Sequence, residues 1–172
     1  MSRTRKLAVC AMLIAIDVIF TRFLSVTPGG LSRISLQFLP DAMMGALLGP
    51  LWAGVGCAAA DVLGMLINSQ GLAYTPLFTV SAFMRGFLYG LMLTKIRGGI
   101  GRKTFFGLLS VSLVVDLGMN PVWLCFYYGN LVYKTVLATK LLTEAIFFPV
   151  KWAVLSAMYR YLIPAVKKTL HV

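Results

Sequence analysis

Negative charge is nearly absent from this chain: five Asp and Glu stand among 172 residues, against 16 Lys and Arg. Histidine occurs once, as His171 in the tail, and cysteine three times, as Cys10, Cys57 and Cys125. The cysteines are odd in number, far apart and embedded in apolar runs, so they read as small packing residues, not a disulfide framework. With one histidine there is no His/Cys metal constellation and no Ser/His/Asp relay. No GxxxxGK[ST] loop is present, so any use of ATP falls to a partner. Charged residues of both signs make up only 12% of the chain, where a soluble domain carries about 25%. That is too little to coat a water-facing surface.

What fills the chain instead is apolar sequence: 59% of residues are hydrophobic, and the mean hydropathy is +0.86. The charges gather at the ends of apolar runs, the arrangement expected when lipid is the main solvent. The net charge of +11 then reflects cationic helix ends at a membrane surface, with no nucleic-acid partner. The length allows a single integral membrane domain over residues 1–172, with room for about six spans of ~20 residues. The start MSRTRK mimics the basic region of a signal peptide, but Asp17 and the spans that follow mark a retained first helix.

The pattern predicts an all-α membrane protein of six transmembrane helices. The first covers Lys6 to Leu24, the second Leu36 to Leu48, and the third Trp52 to Ile67. Gly49-Pro50 breaks the second from the third, because proline lacks an N–H and glycine frees the turn. The fourth helix runs from Pro76 to Thr94, after a polar loop from Asn68 to Thr75. A basic, glycine-rich hairpin connection, Lys95 to Lys103, leads to a fifth helix over Thr104 to Met119. A long aromatic segment from Asn120 to Lys140 precedes the sixth, Leu141 to Ile163.

With the N-terminus cytoplasmic, ten basic residues fall inside: Arg3, Arg5, Lys6, Lys95, Arg97, Arg102, Lys103, Arg160, Lys167 and Lys168. Four fall outside: Arg22, Arg33, Lys134 and Lys140. Both termini are therefore expected in the cytoplasm.

Asp17, Asp61, Arg85, Asp116 and Lys151 lie in or near hydrocarbon. A charge there costs roughly 2.5–3.5 kcal/mol, so each must face the bundle interior and find a partner. Interhelical ion pairing is one reading of all five. A ligand site is the other, favoured for Arg85, Asp116 and Lys151 because aromatics surround them. Asp116, Asn120 and Trp123 follow at i, i+4 and i+7, on one face if helical geometry persists. An acceptor, an amide and a flat ring suit a planar heterocycle with N–H and C=O edges. Tyr127 lies in the same aromatic stretch.

Phe78, Ser81 or Ala82, and Arg85 give a facing stripe on the fourth helix, and the Gln70 to Tyr74 loop is placed as a lid. At the end of the first helix, Arg22 and Phe23 supply a cation and a ring, and a cation there suits an anionic ligand tail. Arg22 also fits the default of snorkelling to headgroups. Ala11 and Ala15 form a small-residue pair that lets another helix approach. Asp17 lies about 200° round the helix from Ala15, so one face is polar and inward while the other is smooth.

Two stretches carry a resemblance. Arg33-Ile-Ser-Leu-Gln-Phe-Leu-Pro40, leading to Gly45-Ala-Leu-Leu-Gly49-Pro50-Leu-Trp52-Ala-Gly54, is similar to the second and third helices of substrate-binding S components of energy-coupling factor (ECF) vitamin transporters. Met119-Asn120-Pro121-Val122-Trp123-Leu124, followed by Tyr128-Gly129, resembles the Asn-Thr-Leu-Trp-Leu and Tyr-Gly segments of the folate-specific branch. Pro121 departs from the usual threonine, and Lys140 stands where an arginine is expected.

The resemblance covers essentially the whole chain. It implies an S-component bundle in a prokaryotic cell membrane, with an outward-facing pocket among helices 1, 4, 5 and 6. The ligand would be a folate-like vitamin. No catalysis and no cofactor are implied, and the partners are a transmembrane T component and two ATPase subunits. By the same resemblance, Ala11 and Ala15 contact the T component, Arg22 is associated with the ligand, and Trp123 and Asn120 stack on and hydrogen-bond to a pterin. The rivals are an S component for another vitamin or a queuosine-type precursor, and an autonomous ion-coupled carrier. The carrier is weakened by the lack of an evident inverted repeat.

Overall fold

A computed structural model describes residues 3–25, 35–69, 74–96, 98–129 and 133–170, and these are helical apart from turns and short connections. The elements in chain order are α1 (Arg3–Arg22), α2 (Phe38–Leu48), α3 (Pro50–Ile67), α4 (Pro76–Lys95), α5 (Ile100–Val111), a π-helical segment (Ser112–Met119), α6 (Asn120–Tyr128) and α7 (Tyr133–Leu170). Since α5, the π-helical segment and α6 run on without a break, the described chain forms six rods. Among the described residues, four helical stretches are long and apolar enough to cross a membrane: Pro50–Ile67, Pro76–Lys95, Ile100–Tyr127 and Tyr133–Val166. Helix α2 is apolar but shorter, and α1 carries Arg3, Arg5, Lys6, Asp17 and Arg22 within its twenty residues.

The expected break between the second and third helices is present. Helix α2 ends at Leu48, and Gly49 takes φ 86°, a left-handed value that favours glycine. Pro50 then opens α3, where its missing N–H leaves no helical bond unmade.

Small residues bring α2, α3 and α4 together. A Cβ on Gly86 of α4 would collide with the Ala53 carbonyl and Cys57 of α3, and one on Gly90 with Pro50. Gly45 of α2 lies against the backbone of Tyr89 and Gly90. Close backbone approach of this kind is how membrane helices associate when lipid gives no hydrophobic drive between them.

Two apolar clusters fill the interior. One joins Ala42, Tyr89, Leu93, Leu108, Val111, Val115 and Leu155; the other joins Val9, Cys10, Leu13, Met44, Ala53 and Cys57. Large apolar side chains are exposed around the outside, among them Leu51, Leu66, Phe126 and Ile146, which suits a lipid-facing surface.

Three expectations need correction. The basic connection is shorter than expected, because α5 begins at Ile100 and not at Thr104. The stretch from Asn120 to Lys140 is largely helical: α6 holds Asn120–Tyr128, and α7 starts at Tyr133. Pro121 does not end the helix because the preceding π-helical segment widens the turn. The Asn120 N–H donates to the Val115 carbonyl, five residues back, so the ladder is already out of α register where the proline enters. The true break comes at Gly129, with φ 41°. At 38 residues α7 also far exceeds the expected last helix; at 1.5 Å per residue it is about 57 Å long, beyond the ~30 Å of hydrocarbon. Pro149 and Pro164 lie inside it.

Candidate functional site

The intramembrane charges fall into three groups, each linking different helices. In the first, buried Arg22 at the end of α1 reaches α3. Its Nη2 lies 3.5 Å from Asp61 Oδ1 and 3.4 Å from the Asp61 carbonyl. Thr79 of α4 donates to Asp61 Oδ2 at 2.8 Å, and its hydroxyl lies 3.1 Å from that of Tyr74. Gly64 makes room for this: a Cβ there would come within 2.7 Å of Arg22 Nε. Arg22 and Tyr74, chosen separately from sequence, thus belong to one chain of polar contacts.

The second group lies deeper. Arg85, halfway along α4, places Nε 2.7 Å from Asp41 Oδ2 of α2. The Cys57 thiol donates to Asp41 Oδ1 at 3.1 Å. Asp17 of α1 is fully buried, within electrostatic reach of Asp41 and Arg85. No N–H or hydroxyl among the described residues donates to Asp17, and its carboxyl is in hydrogen-bonding contact with that of Asp41. The cluster holds two carboxylates and one guanidinium in the bundle interior, where a charge without a partner is costly.

The third group surrounds the π-helical segment. Asn120 Nδ2 donates to Asp116 Oδ1 at 3.2 Å, which keeps the expected i, i+4 adjacency. Trp123 Nε1 donates to Ser81 Oγ of α4 at 3.0 Å, fixing the half-buried indole between two helices. Lys151 is paired within α7: its Nζ is 2.6 Å from Glu144 Oε1. Glu144 Oε2 accepts from Ser112 at 3.1 Å, tying α7 to the π-helical segment. Asp116 lies within electrostatic reach of Glu144, Lys151 and Arg85, so the second and third groups adjoin.

Of the residues chosen from sequence, Arg85, Asp116, Asn120, Trp123 and Lys151 therefore gather around α4, the π-helical segment, α6 and α7. Phe78 is half-buried on α4, one turn before Ser81 and Ala82. Phe23 and Tyr127 lie on the surface, Phe23 at 63% exposure and Tyr127 edge-to-face with Phe126. Of the lid, Tyr74 is described, whereas Gln70 to Ala73 lie outside the described residues, as does Arg33. Ala11 and Ala15 are exposed and Asp17 is buried, so α1 has the two faces expected of it.

Sequence reasoning placed Ser81 on the facing stripe of α4 without its bond to Trp123, and missed Asp41, Glu144 and Thr79. For Asp41 the signal was available: an apolar eleven-residue helix with one carboxylate and no cation must find its counter-charge on another element. The hydroxyls give no such signal, since serine and threonine often bond their own helix backbone.

Within the third group a flat indole is held by its N–H, with an amide–carboxylate pair one and two turns before it. Asn120 Oδ1 and Asp116 Oδ2 keep acceptor capacity beyond the bond they share. Such a set can grip a planar solute by its face and its rim.

Comparison with known proteins places this chain. Residues 1–166 match the family described as ECF-type riboflavin transporter, S component. The folate transporter FolT of Clostridium novyi (strain NT) is 38% identical over 151 residues, 87% of this chain and 85% of that protein. FolT of Leuconostoc mesenteroides subsp. mesenteroides is 24% identical over 86% of this chain and 80% of its own length. Among solved structures, FolT bound with folic acid superposes with a TM-score of 0.80 at 31% identity, covering 88% of this chain and 90% of that one. An S component for biotin from an ECF-type ABC transporter shares the fold, with a TM-score of 0.68 at 20% identity over 93% and 95% of the two chains. The family match over nearly the whole chain and the relative at 38% identity agree: this chain belongs to the S components of energy-coupling factor transporters.

Proposed function

We propose that this protein binds folate, or a closely related pterin, and is the substrate-specific subunit of an ECF-type importer without catalysis of its own. The observation that carries the reading is the Trp123 indole anchored on Ser81, in the same helical run as the hydrogen-bonded Asp116–Asn120 pair. The pterin would stack on Trp123, with its N–H and C=O edges meeting Asn120 and Asp116. Arg22 would meet the glutamate tail, exchanging part of its contact with Asp61 for the ligand carboxylate. Likeness to a folate-bound FolT structure supports the choice of vitamin.

Arg85, Lys151, Phe78, Phe23, Tyr74 and Tyr127 complete the proposed neighbourhood, the first two as cations within electrostatic reach of Asp116. In this reading the six rods lie in a prokaryotic cell membrane with both termini cytoplasmic and the pocket open to the outside. The alanine face of α1 docks on a T component that works with two ATPases.

Riboflavin is the second reading, favoured by the description of the matching family. Calorimetric titration of the purified protein with folic acid, riboflavin and biotin separates the two. Saturable one-to-one binding is expected for folic acid alone. Saturable riboflavin binding with none for folic acid would overturn the folate assignment while leaving the family standing.

A further inference from the structure

On α5 and the C-terminal half of α7 lies a shallow groove of about 380 Å³, lined by Ile100, Gly101, Ser156, Ala157, Arg160 and Tyr161. Its position is fixed by two ties. Trp152 Nε1 donates to the Gly101 carbonyl at 3.2 Å, and the Thr104 and Ser156 hydroxyls lie 2.8 Å apart.

Chemically the groove is graded. At its rim, the first-turn amides of Ile100 and Gly101 have no carbonyl to bond within the helix, and a long helical run puts positive potential there. The exposed Arg160 guanidinium lies 5.8 Å from the centre of the Tyr161 ring. Lys95, Arg102 and Lys103 flank the same end, and no acidic residue occurs from Lys95 to Val115 or after Lys151 to oppose an anion. One to two turns deeper, the character changes. Phe105 meets Phe106, Phe148 and Trp152 edge-to-face, with ring centres 5.6, 5.6 and 5.9 Å away. Cations and free amides at the membrane surface, above an exposed aromatic wall reaching toward hydrocarbon, match an amphiphile with an anionic head.

We propose that this groove seats an anionic glycerophospholipid. Its phosphate is held by the α5 first-turn amides and Arg160, and its acyl chains lie along Trp152 and Phe105. A free phosphate satisfies only the rim and leaves the aromatic wall unused. An acidic protein segment satisfies the rim but gains little from a wall that faces lipid. The lipid uses both.

Native mass spectrometry of the whole protein, titrated with phosphatidylglycerol or phosphatidylcholine, tests this. Wild type is expected to retain one phosphatidylglycerol in preference to phosphatidylcholine. Arg160→Gln is expected to lower that affinity about fivefold, the factor for one basic contact at an anionic surface. Arg3→Gln, which removes the same charge from the exposed start of α1, is expected to leave it unchanged. Ser156→Leu, which fills the groove without altering charge, is expected to lower it as Arg160→Gln does.

Equal losses for Arg160→Gln and Arg3→Gln would overturn the proposal, leaving only diffuse attraction to a basic protein. Displacement of the lipid by millimolar inorganic phosphate would overturn it in favour of a phosphate site. Unchanged lipid retention by Arg160→Gln, with loss of co-purifying T component, would overturn it in favour of a protein contact.

Discussion

Asp41 and Arg85 show what a single buried pair does in this bundle. Asp41 has no solvent exposure, and its carboxylate is shared between the Arg85 guanidinium and the Cys57 thiol. Removing one member of such a pair leaves the other charge without compensation, at a cost of about 3–5 kcal/mol. Asp41→Asn is therefore expected to lower the unfolding midpoint in detergent sharply. Asp17→Asn removes one of two like charges and lets an amide N–H donate to Asp41 in place of the carboxyl contact, so it is expected to be tolerated or stabilising. Thermal unfolding of the two purified variants checks the contrast, and equal losses would refute it.

Gly64 offers a second test at this scale. A methyl group there must push Arg22 aside. Gly64→Ala is accordingly expected to weaken folic acid binding while leaving helix content by circular dichroism unchanged. The composition made the cationic member of the deep pair legible but hid its partner. Arg85 stands out in an apolar helix, whereas choosing Asp41 over Asp17, Asp61 or Asp116 requires knowing how α2 and α4 approach, and that is set by Gly45 and Gly90.

Element boundaries were legible wherever backbone chemistry dictates them. Gly49-Pro50 ends one helix and starts the next, and Pro76 opens α4. The starts of α5 and α7 fell earlier than their sequence suggests, and no residue type announces the π-helical segment. Pro121 reads as a helix end, yet the wider turn before it lets the helix continue. The same feature has a functional reading, since a π turn changes the direction in which every later side chain points. Inserting an alanine after exposed Leu113 adds a residue that the already wide segment does not absorb, and should rotate α6 by about 100°. Trp123 would then lose Ser81. Helix content by circular dichroism is expected to persist while saturable folic acid binding disappears. Retained binding would show that the π geometry does not position Trp123.

For the molecule as a whole, the balance of charge and the two faces of α1 carry the account. Sixteen basic residues gathered mainly at helix ends predict a fixed orientation. A cysteine introduced for Lys103, in a background lacking Cys10, Cys57 and Cys125, should react with a membrane-impermeant maleimide only after the cell membrane is opened. Labelling in intact cells would invert the topology. Ala11 and Ala15 are exposed on the side of α1 opposite buried Asp17, so Ala15→Phe should leave folic acid affinity intact and abolish co-purification with the T component and ATPases. Intact complex would move the docking surface elsewhere. This division of α1 was readable from helical periodicity alone, because burial of one charge fixes the whole rotation of a helix.

The central claim is that Trp123, held by Ser81 in the run that carries Asp116 and Asn120, is the floor of a vitamin pocket. Calorimetric titration of wild type and Trp123→Ala with folic acid tests it most directly. The account predicts saturable one-to-one binding by wild type and a loss of about 1–3 kcal/mol in the variant, roughly 5- to 150-fold, as for aromatic–base stacking elsewhere. Equal affinities for the two proteins would contradict it.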